Sequence, residues 1–355
     1  MAGTNDRHCS PLVFSMHILS LTPFQRPRPL PVSGLVRTSA PAFGLGHRSS
    51  NGSGDRYNLA TPDNHHGTWM GRNGSVFAVP RLLVSRFPHG TPILALGCST
   101  GEATVLTTAM VIDKHPLLDA RAQTYPITGI DIDSDIVGVA NLKLLSRSDM
   151  TSIQNLFGQA YAKGVVAPVP PRLEAVPASL HRALRSVLLA NYAELDKNDI
   201  VDVPLTASLE QAYDALAPVA LSPRLAQRIH YEVGDVRQVT ADATRMEQYG
   251  VVLADNLLYL LPRADQMTVA RQLAVHMKPG AILVSSQFDL QRHAIDDLLV
   301  GMGFVRMDAK ALADSTQTQV IYERPDVLQP NVDRLARFIA YMDAYQESRT
   351  PSVTP

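Results

Sequence analysis

The sequence predicts an α/β fold: a mostly parallel, seven-stranded sheet with helices on both faces and one inserted helical subdomain. Three observations predict it. Short apolar runs alternate with helical patterns from about residue 92 onward, the pattern of a sheet wound through right-handed crossovers. The stretch Ile93-Leu94-Ala95-Leu96-Gly97-Cys98-Ser99-Thr100-Gly101-Glu102 reads as a strand, a tight turn of small residues and a helix start. Some thirty residues on, Ile127-Thr128-Gly129-Ile130-Asp131-Ile132-Asp133 is a second apolar strand ending in acids. The last two together make the sheet Rossmann-like, with a ligand crevice at the carboxyl ends of its strands.

Composition bounds the rest. The chain has 355 residues, 45% hydrophobic and 18% charged, enough apolar sequence to bury a full core. A net charge of −1 gives no global attraction to nucleic acid or to an anionic membrane. Two cysteines, Cys9 and Cys98, build no disulfide framework, so a reducing, cytoplasmic setting is the default. No uninterrupted apolar run approaches a membrane-spanning length.

Residues 1–55 differ from everything after them. They are rich in Pro, Ser, Gly and Arg, and carry no acid between Asp6 and Asp55. Such a segment cannot bury enough apolar surface to offset its ordering entropy, so a disordered leader is expected. Its composition also suits a targeting or secretion signal. A main domain is expected over 56–325, followed by a C-terminal helix and tail over 326–355.

Within that domain the run from Ser75 to Leu83 reads as a short helix leading into the first strand, about 92–97. A helix follows over 101–112, then the second strand over 126–131, and a helix with Ser134 as its N-cap. Residues 147–227 are far too many for an ordinary connection. Helical patterns at Leu180–Leu189 and Leu209–Leu216, separated by prolines, make this an inserted subdomain. Its place between the second and third strands predicts a lid over the carboxyl ends. The sheet resumes at Ile229–Asp235 and Val251–Asn256. A helix over 264–277 then stops at Lys278-Pro279-Gly280, and a buried strand runs from Ala281 to Gln287. A helix over 290–302 precedes two closing strands, Phe304–Asp308 and Gln317–Glu323. The final helix, 331–346, presents Leu335, Phe338, Ile339, Met342 and Tyr345 on one face, to dock on its own domain.

The ligand expected at the glycine turn is S-adenosylmethionine. A pyrophosphate favours a bare helix N-terminus, and Glu102 sets a carboxylate there. A cationic sulfonium with an α-ammonium group tolerates that acid, and the third glycine of the dinucleotide fingerprint is missing. Asp131 is placed to accept hydrogen bonds from a ribose diol. His65-His66 lacks partnering Cys or His residues, so no metal is expected.

These pieces line up with one family. Gly97-Cys98-Ser99-Thr100-Gly101-Glu102 resembles the first motif of the chemotaxis-receptor glutamate O-methyltransferases, cysteine included. These form a branch of the class I S-adenosylmethionine-dependent methyltransferases. Gly129-Ile130-Asp131-Ile132-Asp133 resembles their ribose-binding strand end, and Thr68-Trp69-Met70-Gly71-Arg72 a cofactor-contacting Thr-x-Phe-Phe-Arg element. The resemblance covers about 65–325. It departs from the family where an Arg-Asn pair becomes Asp255-Asn256, where the family's tyrosine falls at Leu260 with Tyr259 one position early, and where the leader replaces a helical domain. The cofactor side is kept and the acceptor side rebuilt.

The resemblance implies cofactor contacts at Thr68, Arg72, Gly97, Cys98, Ser99, Gly101, Glu102, Asp131, Ile132, Asp235, Val236 and Asn256. Arg72, Asn256 and Tyr259 are the residues implied at the reacting centre. The implied activity is methyl transfer to a carboxylate or other polar acceptor, on a protein or a small molecule. A carboxylate is already anionic and needs no general base, which agrees with the absence of an obvious base in the motifs. The absence of an Asn-Pro-Pro-Tyr or Asp-Pro-Pro-Tyr element argues against amino groups of nucleic-acid bases. Two other readings remain: a cofactor-binding regulatory or effector protein without catalysis, and an NAD-dependent oxidoreductase, which Glu102 opposes.

Overall fold

The computed structural model describes residues 74–167, 172–193, 207–255, 257–285, 292–307 and 320–347. All belong to one compact unit, Gly46–Pro355. The leader over 1–55 and the Thr68–Arg72 element lie outside the described residues, as do Asn256 and the tail beyond 347.

The central sheet has seven strands: β1 (Ile93–Leu96), β2 (Ile127–Asp131), β5 (Ile229–Val233), β6 (Val251–Leu253), β7 (Ile282–Val284), β8 (Val305–Arg306) and β9 (Ile321–Glu323). Their spatial order is β5-β2-β1-β6-β7-β9-β8. Neighbours from β5 to β7 are parallel, while β9 runs antiparallel to both β7 and β8. This is the Rossmann-like sheet that the sequence predicts, and its strand order reverses between β1 and β6. The carboxyl ends at such a switch point form a crevice. The strands are shorter than their apolar runs because each ends where its backbone turns out of the sheet.

β1 shows why its run is continuously apolar. Ile93 and Ala95 face one core, with Ile127, Tyr231, Val251 and the helices at Val79–Arg86 and Thr107–Lys114. Leu94 and Leu96 face the other, with Ile130, Val252, Leu283 and the helices at Arg263–His276, Arg292–Gly301 and Val332–Glu347. All four β1 residues are 1% exposed or less, as a strand covered on both faces requires. The C-terminal helix docks on this second core through buried Phe338 and Met342, packing against helix 292–301.

Helix 134–141 is capped by Asp133 rather than by Ser134. The Asp133 carboxylate accepts from the backbone N–H of Asp135 at 2.9 Å and of Ile136 at 3.1 Å, leaving Ser134 as the first helical residue. The carboxylate one position earlier reaches the second and third helical N–H groups, which Ser134 as first helical residue does not.

The insertion leaves the fold after helix 134–141. Its base is a two-strand ladder, β3 (Leu144–Leu145) antiparallel to β4 (Val219–Ala220). Lys143 and Leu144 at this base, with Ser146 and Asp149 just after it, line one cavity with Thr100 and Glu102 of the glycine turn. Its longer described helices are Arg147–Phe157, Gln159–Gly164, His181–Ala193 and Leu209–Leu216. His181–Ala193 and Leu209–Leu216 form a third, smaller core against Ile136 and Val139. Tyr161 donates to Asp113 Oδ2 at 2.9 Å, and Arg224, just before β5, reaches the same oxygen at 2.7 Å. That contact anchors Gln159–Gly164 to the end of helix Thr107–Lys114. Among the described residues, the insertion flanks the sheet through its helices, and one acid of it, Asp149, comes up beside the glycine turn.

Candidate functional site

The turn after β1 is built from backbone hydrogen bonds and left-handed residues. Gly97, Ser99 and Gly101 have φ of 61°, 51° and 95°. The Cys98 N–H donates to Ile130 O of β2, and the Gly101 N–H to Cys98 O, both at 3.0 Å. A π-type turn, Glu102–Leu106, then opens the helix that continues to Lys114. Ser99 carries a left-handed φ without being glycine, a conformation that persists where its surroundings enforce it.

What enforces it is Asp131. The Ser99 N–H donates to Asp131 Oδ2 at 2.8 Å, and the Asp133 N–H to Oδ1 at 3.1 Å. The carboxylate thus clamps the turns after β1 and β2 together, while each oxygen keeps a further lone pair. Ser99 Oγ is buried and has no partner among the described residues. A left-handed turn, an orphan hydroxyl and a half-buried carboxylate fit the hydroxyl-rich end of a nucleoside.

The glycines serve an internal purpose as well as the turn. Tyr231 stands opposite Gly129 in the β2–β5 register. With no Cβ at 129, its ring lies across the sheet and ends beneath Gly101. A Cβ on Gly101 would sit 2.1 Å from Tyr231 Oη, and one on Gly129 would sit 2.9 Å from Cys98 Sγ. A Cβ on Gly97 would sit 2.7 Å from Leu257 Cδ1. Packing from below and beside the loop therefore demands glycine before any ligand does. Cys98 is 4% exposed in this packing. Burial, and then the neighbouring Asp131, push its thiol well above the ordinary range, so it stays protonated.

Glu102 changes the electrostatic argument. It is 4% exposed, and the Thr100 hydroxyl donates to its Oε2 at 2.5 Å. Burial, and then the charge of Asp149, push its carboxyl up to about 8, against the pull of the Thr100 bond. Asp149 is 2% exposed and raised to about 6, by burial, although the Ser146 hydroxyl and N–H both donate to it. The two acids share a cavity of about 20 Å³ with Leu106, Val139, Lys143 and Leu184, room for about one water molecule. At neutral pH Glu102 is mostly uncharged, so it does not repel a pyrophosphate as its sequence position implied. The missing third glycine remains as the discriminating feature against a dinucleotide.

Asp235 lies two residues beyond β5, whose Val233 pairs with Asp131. Its carboxylate caps helix Val236–Ala241 by accepting the Arg237 N–H at 2.8 Å. The Arg237 guanidinium closes back on it, Nε at 3.0 Å from both oxygens and an Nη at 2.5 Å from Oδ2. These bonds hold the Asp235 carboxyl below the usual carboxylate range. Ile132 and Val236 are half-buried at the same edge, and Val233 is 57% exposed there.

Beyond β6 the chain is apolar. Asp255 is 6% exposed, Leu258 anchors a 3-10 turn (Leu258–Leu260) in the core, Tyr259 is half-buried, and Leu260 is 49% exposed. The structure thus brings Gly97, Cys98, Ser99, Gly101, Glu102 and Asp131 together, and sets Ile132, Asp235 and Val236 along the adjacent edge. Thr68, Arg72 and Asn256 lie outside the described residues. Sequence reasoning missed Tyr231, Asp149 and Arg237. Ser146-x-x-Asp149 is legible as a helix-start pair, and the structure shows the reciprocal capping box. Nothing in it signals the approach to Glu102.

No family model matches the chain, and no curated protein matches it in sequence. Solved structures do. The glycopeptide N-methyltransferase MtfA is 12% identical, over 71% of this chain and 95% of that one, with a TM-score of 0.34. The magnesium protoporphyrin IX methyltransferase ChlM from Synechocystis PCC 6803 with bound SAM is 13% identical, over 71% and 78%, at 0.33. The [4+2]-cyclase SpnF is 14% identical, over 69% of this chain and 64% of that one, at 0.30. The chain thus spans just under two thirds of the cyclase it matches. Likenesses this distant add nothing to the chemistry of the site. Among the described residues, no helix is long and apolar enough to cross a membrane, and no group of three or more acids, histidines and cysteines could hold a metal.

Proposed function

We propose that this protein is an S-adenosylmethionine-dependent methyltransferase acting on a carboxylate or another polar acceptor, on a small molecule or a protein. The observation that carries this reading is the Asp131 clamp: one carboxylate fixes the left-handed turn after β1 and keeps acceptor capacity at the sheet's switch point. S-adenosylmethionine, when bound, supplies a methyl group on a cationic sulfonium for in-line displacement. Asp131 would hold the ribose hydroxyls, Ser99 Oγ would gain its missing partner, and Asp235 would accept from the adenine. Ile132 and Val236 would give the base apolar contact. The part left to the protein is positioning and electrostatics.

The acceptor class follows the resemblance to chemotaxis-receptor glutamate O-methyltransferases. It is supported by the partly exposed Leu257, Tyr259 and Leu260 after β6, a turn that carries no histidine or carboxylate over residues 257–261 among the described residues. Arg72, Asn256 and Tyr259 are the proposed reacting-centre residues, Arg72 by a forked hydrogen-bond pair to an acidic group. One observation favours a second reading, a cofactor-binding protein without catalysis: buried Asp255 stands where the family carries arginine.

Isothermal titration with S-adenosylhomocysteine tests the first half. Heat of binding and a raised Tm are expected, and neither appearing at millimolar ligand would sink the reading. Labelled-methyl transfer into fractionated extract separates the enzyme from the binding protein.

A further inference from the structure

We infer that Arg237 is an internal competitor for the nucleobase, occupying on Asp235 the acceptor positions that a ring amino group needs. This rests on the adenosyl-ligand reading above and concerns this chain's own side chain.

A carboxylate offers about four lone-pair sites. On Asp235 three N–H groups of Arg237, the backbone N–H, the Nε–H shared between both oxygens and an Nη–H, all at 3.0 Å or less, take up most of them. Any exocyclic amino group brought to this edge meets an acceptor whose two oxygens are both already engaged by Arg237. The edge is otherwise shaped for a ring. Val233, the last residue of the edge strand β5, is 57% exposed and stands in register with Asp131. An apolar side chain bare to solvent between two acids is a surface left for a flat, partly apolar group.

Arg237 also has somewhere to go. Its other Nη lies 3.2 Å from Asp265 Oδ2, at the start of helix Arg263–His276. The side chain is 46% exposed, so a rotation away from Asp235 is not opposed by packing, and it ends on a second carboxylate. Two carboxylates thus share one guanidinium, and a ligand amino group takes the place it leaves on Asp235. The helix cap survives the exchange because the Arg237 backbone N–H makes it. Arg237 therefore sets how tightly the adenine end is held, without touching the reacting atoms.

The test is titration calorimetry of the full chain with two ligands of equal charge. One is S-adenosylhomocysteine, and the other its analogue with hydrogen in place of the 6-amino group. R237A should bind S-adenosylhomocysteine about two- to fivefold more tightly than the unmodified chain, the scale of a well-formed exposed ion pair. Its affinity for the desamino analogue should change by no more than the loss of one nearby charge, and that loss acts on both ligands alike. D265N, which removes the alternative partner, should shift the same ratio the other way. Equal shifts for the two ligands, or weaker binding of S-adenosylhomocysteine to R237A, overturns the competitor and assigns Arg237 to holding Asp235 in place. If the unmodified chain binds neither ligand, the adenosyl reading itself falls, a distinct outcome.

Discussion

The turn after β1 and the turn after β6 meet at one crevice and are built in opposite ways. The first is a knot of backbone hydrogen bonds with three left-handed residues, pinned by Asp131 from the neighbouring strand. The second is an apolar 3-10 turn, anchored by Leu258 in the core and reaching Gly97 through Leu257. Hydrogen-bonded turns fix atoms to fractions of an ångström, whereas apolar walls tolerate exchange of volume and shape. A cofactor-side turn and an acceptor-side turn have those respective needs, so the contrast itself supports the proposed division of labour.

The largest expected effect comes from breaking the first turn at its tightest point. Gly101→Ala places a Cβ 2.1 Å from Tyr231 Oη at a φ of 95°. The left-handed backbone costs about 1–2 kcal/mol for an L-residue, and overpacking against the buried ring adds about 1–3 kcal/mol. A loss of about 2–5 kcal/mol in urea unfolding is expected, with S-adenosylhomocysteine binding abolished. Tyr231→Leu in the same chain should recover part of the stability. If it recovers none, the ring is not what excludes the Cβ.

Next in size is Asp131→Ala, which leaves the Ser99 and Asp133 N–H groups without their acceptor. Binding of S-adenosylhomocysteine should weaken by about 1–3 kcal/mol. The same substitution should leave the β6 turn untouched, as hydrogen exchange over 257–261 can report. Coupled loosening of both turns would erase the contrast.

The sequence was legible where the physics is local. The apolar runs gave the strands, and a short turn with two glycines gave the first loop. A strand ending in acids gave Asp131 as a strand-end acceptor. Illegible were the contacts made by register and by topology. Tyr231 reaches Gly101 only because β5 pairs with β2 in a register that puts it opposite Gly129. Glu102 loses its charge at neutral pH because the fold buries it and then because the insertion brings Asp149 beside it. The insertion was expected over the crevice because its flanking strands are there. Its base is the β3–β4 ladder after helix 134–141, and the helix that follows sets Asp149 beside Glu102 at the glycine turn.

That buried pair gives the third prediction, a pH dependence with a definite sign. Glu102 is raised from 4.5 to about 8 in the folded chain, so between those values the native state holds a proton that the unfolded chain has lost. Stability contributed by the group is full below 4.5 and falls as pH rises toward about 8. Asp149 adds the same sign between 3.8 and about 6. Glu102→Gln removes the larger part. Its stability relative to the unmodified chain should rise by about 1 kcal/mol or more between pH 5 and pH 8.5. Urea midpoints across that range measure it. A difference that is flat with pH would mean Glu102 is ionised in the fold, restoring it as a charge against pyrophosphate.

The smallest expected change in cofactor binding comes from the acceptor side, and it sharpens the contrast most. Leu260 is 49% exposed on the 3-10 turn after β6, next to Tyr259, while Leu258 anchors that turn. An exposed position off the core tolerates substitution within about 0.5 kcal/mol. Leu260→Glu should therefore leave the Tm and the affinity for S-adenosylhomocysteine nearly unchanged, because nothing in the Asp131 clamp reaches this residue. It places a negative charge on a wall that is apolar in the unmodified chain. An acidic acceptor approaching that wall is then repelled, so labelled-methyl transfer should shift away from acidic acceptors in fractionated extract, through KM more than kcat. If cofactor affinity falls along with transfer, the two turns act as one unit, and the division between a fixed cofactor side and a replaceable acceptor side does not hold.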